Sequence, residues 1–140
     1  MKTLHILIVE DDPLVAMGLE MMVTEIVTAT VVVKESVAAA KKILHDLLDF
    51  AFLDVNVTDG KTFEVAQILE RKHVPFVFVS GSPQNQLPFE LRSVPFIPKP
   101  FHAAQIESAL QAAAEERFSC AWVLNRRPRP GGAHGWLSNV

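Results

Sequence analysis

Residues 4–13 read LHILIVEDDP, an apolar run that passes directly into three acidic residues and a proline. A run of six residues that is apolar apart from His5 is typical of a strand buried on both faces, as in a parallel sheet. Asp12 followed by Pro13 is typical of a helix N-terminus, because aspartate caps a helix and proline suits its first turn. The stretch therefore predicts a central strand, an acidic loop and a helix.

Apolar runs and segments with helical spacing alternate along the rest of the chain. We predict strands over residues 4–9, 28–33, 50–53, 75–79 and 94–97. We predict helices over residues 13–26, 37–48, 63–72 and 102–118. Strands that alternate with helices form a parallel sheet with right-handed crossovers, so the predicted fold class is α/β with a five-stranded parallel sheet.

Some of these segments carry more specific expectations. Pro88 interrupts residues 84–93, so we expect a weak helix there at best. The helix over residues 37–48 is expected to face the core with its apolar side, formed by Ala40, Ile43, Leu44 and Leu47. The methionines of the first helix are also expected in the core, namely Met17, Met21 and Met22.

The composition fits a globular protein of one domain. The 140 residues are 49% apolar and 21% charged, which is ordinary for a folded chain that needs neither disulfides nor a structural metal. The net charge of −3 gives the chain no overall attraction for polyanions. The single cysteine, Cys120, cannot form an internal disulfide, so we expect a reducing, cytoplasmic location. No apolar run approaches the ~20 residues of a membrane span, so no membrane partner is expected.

The composition changes after the last predicted helix. Residues 126–132 read RRPRPGG, a segment rich in arginine, proline and glycine that is too short to form a domain. We therefore predict one domain over residues 1–120 and a C-terminal tail over residues 121–140. The tail's arginines favour a solvated segment over a nucleic-acid contact, and no DNA-binding domain is expected. Its tryptophans, Trp122 and Trp136, are able to pack on the domain or on a neighbour.

Polar residues follow the apolar runs at four strand ends. They are Glu10 and Asp11 after the first strand, Asp54 after the third, Ser80 after the fourth and Lys99 after the fifth. The carboxyl ends of parallel strands meet at one edge of the sheet, so these side chains are expected to converge. Clustered carboxylates need a cation or a retained proton, and oxygen ligands favour a hard cation such as Mg²⁺. A lysine and a hydroxyl beside them suit the oxygens of a phosphoryl group delivered to a carboxylate nucleophile.

The chain resembles the receiver domains of bacterial two-component response regulators. Four motifs carry the resemblance, in the family's order and each at the end of its expected strand: Ile8-Val9-Glu10-Asp11-Asp12, Phe52-Leu53-Asp54-Val55-Asn56, Val79-Ser80-Gly81 and Phe96-Ile97-Pro98-Lys99-Pro100-Phe101. The resemblance covers roughly residues 3–118. It implies a doubly wound, flavodoxin-like fold with three α/β/α layers.

The resemblance implies a role for each acidic residue of the predicted pocket. Asp54 would accept the phosphoryl group. Asp11 would contact Mg²⁺ directly, while Glu10 would act mainly through metal-bound water. The backbone carbonyl of Asn56 would complete the protein's share of the metal ligands, and Asp12 would cap the first helix.

The same resemblance implies the groups that bind the phosphoryl oxygens and transmit the signal. Lys99 would pair with one phosphoryl oxygen and Ser80 would donate a hydrogen bond to another. Phe96 stands where the family carries an aromatic switch residue, whose orientation follows the movement of Ser80. The chain departs from the family pattern in two places, because the loop after Asp54 is short and lacks its usual proline and residues 80–99 are compact.

Three functions from different classes follow. The leading one is a phosphorylation-controlled signalling module that receives its phosphoryl group from a histidine kinase or phosphotransfer protein and then binds a downstream protein in trans. Such a module is no enzyme in the usual sense, since it catalyses only its own phosphorylation and dephosphorylation. The alternative is a degenerate, non-phosphorylated receiver that acts as a protein-binding scaffold. An aspartyl-phosphate hydrolase or transferase is the third, but the second aspartate of such sites is absent from Asp54-Val55-Asn56.

Overall fold

A central sheet of five parallel strands organises the computed structural model, which describes residues 3–117. In chain order the elements are β1 (Leu4–Val9), α1 (Pro13–Ile26), β2 (Ala29–Lys34), α2 (Val37–Lys41), β3 (Phe50–Leu53), β4 (Asn56–Val57), β5 (Gly60–Lys61), α3 (Phe63–Arg71), β6 (Phe76–Ser80), β7 (Phe96–Pro98) and α4 (Ala103–Arg117). The strand order of the main sheet is β2-β1-β3-β6-β7, and β4 pairs with β5 in a separate hairpin. The predicted fold class is confirmed.

The sheet packs its side chains into two cores, one on each of its faces. In β1, Ile6 and Ile8 join the core under α1 and α4, whereas Leu7 and Val9 join the core under α2 and α3. This alternation follows from the two-residue period of a strand. Because both faces are covered by helices, every residue of β3 and β6 is buried and both strands are apolar apart from Ser80.

The strand order reverses at β1, and this reversal fixes the position of the loops that follow β1 and β3. The chain passes from β1 outward to β2 and later returns to β3 on the other side of β1. Beyond the paired strands, the Asp54 amide donates to the Val9 carbonyl at 2.9 Å. The two acidic loops therefore start side by side, at the place where open α/β sheets form their ligand sites.

The start of α1 matches the sequence prediction. The Asp12 carboxylate accepts hydrogen bonds from the amides of Leu14 at 3.0 Å and Val15 at 3.4 Å, and Pro13 is the first helical residue. The cap satisfies amides that have no partner within the helix.

The helix predicted over residues 37–48 is shorter, which corrects one prediction about its buried face. Only Val37–Lys41 is helical, and the amides of Ile43 and Leu44 then bond to carbonyls three residues back. The chain must leave the helix because Asp49 is fixed on the sheet, where its amide donates to the His5 carbonyl at 2.7 Å. The tighter turns leave Leu44 buried at 4% exposure but turn Leu47 outward, at 83% exposure.

The prediction that the three methionines of α1 lie in the core is wrong for two of them. Met22 packs partly against the core, but Met17 and Met21 are more than half exposed. The helix turns a different stripe inward, formed by Ala16, Leu19, Val23 and Ile26. Met17 and Met21 lie on the far side of that stripe, beside the exposed Leu14.

The segments after β3 and β6 are irregular, as their sequences indicate. Residues 84–93 contain only two single turns of 3₁₀ helix, Gln84–Gln86 and Phe89–Leu91, so the expectation of a weak helix at best is confirmed. Residues 58 and 59 form the tip of the β4–β5 hairpin, which the sequence did not indicate. The Asp59 carboxylate at this tip accepts bonds from the first two amides of α2, and these bonds lower its pKa.

Several sequence predictions fall outside the described residues, namely the domain boundary at residue 120, Cys120 and the tail over residues 121–140. Within residues 3–117, no helix combines the length and the apolar character that crossing a bilayer requires.

We predict that the turn after α2 is held by one buried leucine. Leu44→Ala should lower the free energy of unfolding by about 2–4 kcal/mol, because it removes buried methyl groups and leaves a cavity. The matched change Leu47→Ala, three residues away on the exposed side, should change it by less than about 0.5 kcal/mol. Urea unfolding of both variants measures the difference. Equal effects would mean that the helix continues to residue 48 and buries both leucines.

Candidate functional site

Three carboxylates meet at the carboxyl edge of the sheet. Oxygens of Glu10, Asp11 and Asp54 all lie within 4.8 Å of one another. Glu10 and Asp54 are buried, at 4% and 8% exposure, while Asp11 is exposed. The sequence predicted this convergence, and the register of β1 beside β3 produces it.

Lys99 reaches into the cluster from the end of β7. Its Nζ donates to Oε1 of Glu10 at 2.5 Å and to Oδ2 of Asp54 at 3.1 Å. Its backbone amide donates to the Ser80 carbonyl at 3.0 Å, which continues the β6–β7 ladder by one residue. The sheet itself therefore brings the ammonium to the carboxylates.

Burial and charge oppose each other in this group. Burial raises the pKa of Glu10, although hydrogen bonds from the Lys99 ammonium and the Asp12 amide act against the rise. Burial on its own would lower the pKa of Lys99, but the hydrogen bond that its ammonium donates to Glu10 and the charge of Asp54 outweigh burial, and the pKa is raised. The ammonium is thus the counter-charge that keeps the buried carboxylates together.

The donor set of the cluster fits a hard cation. It offers carboxylate oxygens and neither histidine nor cysteine, which is the chemistry that Mg²⁺ prefers in proteins. The exposed Asp11 leaves one side open to water, and Mg²⁺ commonly keeps several of its waters.

Thr62 supports the site and was missed in the sequence. It is completely buried, and its hydroxyl donates to the backbone carbonyl of Asp54 at 2.5 Å. Its amide donates to the Val55 carbonyl at 3.0 Å. In sequence Thr62 resembles the N-cap of α3, yet its side chain caps no amide there. It ties the start of α3 to the end of β3 and so fixes the backbone that carries Asp54.

A chain of polar contacts runs along the rim from the hairpin to Ser80. The side-chain amide of Asn56 donates from Nδ2 to the Ser82 hydroxyl at 2.6 Å, and its Oδ1 accepts from Lys61 at 2.5 Å. The Ser82 amide in turn donates to Oγ of Ser80 at 3.1 Å. Lys61 and Ser82 were not singled out in the sequence, because isolated polar residues in loops carry no local signal.

Phe96 and Ser80 lie in the neighbouring strands β7 and β6. Ser80 is the last residue of β6 and is buried at 2% exposure. Phe96 begins β7 opposite Phe78, is partly buried and packs against the core under α2 and α3. A single strand register therefore links the predicted phosphoryl-binding hydroxyl to the predicted aromatic switch.

A family model described as the response regulator receiver domain matches residues 6–111. The chain belongs to this family. The receiver is 33% identical over 118 residues to the sensory transduction protein LytT of Enterococcus faecalis (strain ATCC 700802 / V583), an alignment that covers 81% of this chain and 49% of that protein. It thus spans about half the length of the curated relatives that it matches.

Two solved structures are similar to this chain over most of its length. The solution structure of SdrG from Sphingomonas melonis Fr1 is 36% identical, with a TM-score of 0.68, and the match covers 81% of this chain and 98% of that one. The non-phosphorylated HemR receiver domain from Leptospira biflexa is 29% identical, with a TM-score of 0.64 and coverage of 79% and 94%. The resemblance inferred from the four motifs is confirmed. Receiver domains typically bind Mg²⁺ at an acidic pocket, and this receiver has such a pocket in Glu10, Asp11 and Asp54.

We predict that Lys99 stabilises the metal-free receiver by compensating its acidic pocket. Lys99→Met should lower the free energy of unfolding by about 1–3 kcal/mol, less than a fully buried pair because the lysine is partly exposed. Mg²⁺ should restore more stability to this variant than to the wild type, since a ligand that binds only the folded state stabilises it.

Lys41→Met is the matched control, because it removes the exposed contact between Lys41 and Glu64. It should cost less than about 1 kcal/mol and leave the response to Mg²⁺ unchanged. Urea unfolding with and without Mg²⁺ measures both variants. Indistinguishable results for the two lysines would contradict the role given to Lys99.

Proposed function

We propose that this receiver accepts a phosphoryl group on Asp54 in a Mg²⁺-dependent reaction and signals through the resulting change in its surface. The observation that carries the proposal is the convergence of three carboxylates and one ammonium at the carboxyl edge of the sheet. We assign the nucleophile to Asp54, whose Oδ2 accepts a hydrogen bond from Lys99 and whose backbone is fixed by Thr62.

The proposed chemistry is an in-line phosphoryl transfer. A carboxylate oxygen of Asp54 attacks phosphorus while the bond to the donor nitrogen of a phosphohistidine breaks, and the departing imidazole takes up a proton. Bound Mg²⁺ supplies positive charge to the phosphoryl oxygens. Lys99, already placed 3.1 Å from Oδ2 of Asp54, adds a second positive charge on the same side. Glu10 would hold metal-bound water, and the Asn56 backbone carbonyl would supply a further ligand.

An apolar surface beside the site supports a protein as the phosphodonor. Leu14, Met17 and Met21 are exposed along α1. A shallow cavity of about 450 Å³ separates α1 from the loop after β7, and its lining includes Lys99 itself, Pro100 and Phe101. Exposed apolar patches of this kind mark protein contacts. We propose that a histidine kinase or phosphotransfer protein docks on this surface and presents its phosphohistidine to Asp54.

The acceptor is tested with acetyl phosphate and Mg²⁺. We expect one hydroxylamine-labile phosphoryl group in the wild type, none in Asp54→Asn and none in Asp11→Ala, because the former lacks the nucleophile and the latter a metal ligand. Asp12→Ala is the matched control. It removes the helix cap at a cost of about 1 kcal/mol but should still be labelled.

Mass spectrometry of the intact protein and its peptides gives the result. A label on serine, threonine or histidine would overturn the assignment of Asp54. A folded wild type that neither binds Mg²⁺ nor takes up label would favour the scaffold function instead.

We further propose that Ser80 and Phe96 carry the signal away from the site. The Ser80 hydroxyl accepts a bond from the Ser82 amide and still has its own proton to donate to a phosphoryl oxygen. Movement of Ser80 toward Asp54 would open space on the side of β7, into which Phe96 can turn. The changed surface would then bind a downstream protein. The only reaction we assign to the receiver is phosphorylation and dephosphorylation of its own Asp54.

The switch predicts that labelling and signalling can be separated. Ser80→Ala should still accept a phosphoryl group but should lose the response of residues 82–98 to beryllofluoride, because the hydroxyl that follows the phosphoryl oxygen is gone. The exposed Ser93 lies in the same region, so Ser93→Ala is the control and should respond as the wild type does. Amide hydrogen exchange with and without beryllofluoride gives the comparison. A full response in Ser80→Ala would falsify the coupling.

A further inference from the structure

A groove opens at the amino edge of the sheet, away from the carboxylates. It runs between α4 and the first residues of β6 and β7, and its volume is about 660 Å³, in the range of pockets that bind ligands. Its lining is mainly apolar and includes Val74, Phe76, Pro95, Phe96 and Ala109. None of the three clustered carboxylates lines the groove, and its apolar lining suits apolar side chains.

One face of α4 forms a wall of this groove. Gln105, Ser108, Ala109 and Ala112 recur at spacings of three and four residues and all line it. Ser108 and Ala112 are exposed, whereas the adjacent side of α4 is buried in the core. The short side chains keep this wall flat, so a bulky residue has room to pack against it.

The groove lies close to the end of α4. Ala113 lines the groove and lies four residues before the end of α4 at Arg117, a distance of about 6 Å along the helix. Residues 118–140 follow directly. Five extended residues span at most about 17 Å, which is sufficient for residue 122 to turn back from the helix end to the groove.

The sequence that follows α4 has the composition that such a groove accepts. Residues 121–124 read Ala-Trp-Val-Leu, a short apolar stretch between the helix and the arginine-rich segment. An indole buries a large apolar area and packs well against other aromatic rings, here those of Phe76 and Phe96. Glu70, an exposed acid in the lining, is a suitable neighbour for the arginines at 126 and 127.

We propose that residues 121–124 dock in this groove of their own chain, with Trp122 as the anchor. The occupant is this segment rather than a second protein because it is tethered at the groove and carries matching apolar side chains. Since Phe96 lines the groove, the segment covers one face of the residue that forms the start of β7. The proposal stands on the groove and the sequence, independently of phosphorylation.

Tryptophan fluorescence tests this directly, because both tryptophans of the chain, Trp122 and Trp136, follow α4. In full-length protein carrying Trp136→Phe, the emission of Trp122 should be blue-shifted relative to the urea-unfolded protein and protected from acrylamide. Ala112→Glu places a charge in the wall of the groove at an exposed position, so it should shift the emission to that of the unfolded protein while the fold remains. Ala104→Glu, at an exposed alanine of α4 outside the groove, is the matched control and should leave the emission unchanged.

Three results would overturn the proposal. Trp122 could emit as in the unfolded protein, or it could be protected equally with and without Ala112→Glu, which would place it elsewhere. A blue shift that disappears on dilution would assign the groove to a second copy of the chain. Circular dichroism of both alanine variants confirms that the domain is folded when the emission is measured.

Discussion

The contact of the Lys99 ammonium with Glu10 and Asp54 is the interaction on which the site depends. Buried carboxylates repel one another and stay ionised only beside a compensating charge. The sheet meets this requirement through its topology, because β1 and β3 are neighbours and the β6–β7 ladder carries Lys99 to the same edge. A cation that enters this pocket would therefore take over part of the charge compensation that Lys99 now provides. The Lys99 ammonium would then be in place to contact a phosphoryl group.

The sequence predicted the fold, and it predicted that the carboxylates and Lys99 come together, because both follow from the positions of the strands and their ends. Alternating apolar runs define the sheet, and the carboxyl ends of parallel strands must meet. Thr62 escaped prediction because its partner is a backbone carbonyl eight residues away, and no side-chain pattern marks such a bond. The roles of Asp54, Asn56 and Phe96 stay predictions; phosphoryl labelling tests that of Asp54, and the exchange experiment tests the switch that includes Phe96.

The predictions that were wrong concern which side of a helix is buried. Leu47 has the spacing of a core residue, but the attachment of Asp49 to β1 ends the helix early and turns Leu47 outward. Met17 and Met21 are apolar and sit in a helix, yet a neighbouring stripe packs on the sheet. Local periodicity identifies a helix, whereas the direction in which the helix faces is set by tertiary contacts that the sequence does not state.

The prolines of β7 limit how this receiver can associate. The Pro95 carbonyl and the Lys99 amide both form hydrogen bonds with β6. The backbone groups of the alternate residues 96, 98 and 100 therefore point away from β6. Two of these three are prolines, which have no amide hydrogen to offer to an approaching strand. Within residues 3–117, β7 is the last strand on its side of the sheet, and this edge is therefore a poor template for strand addition or for fibrous aggregation. A molecule that binds at this edge must therefore recognise side chains. Its binding depends on the identity of those side chains and not on hydrogen bonds to the backbone of β7.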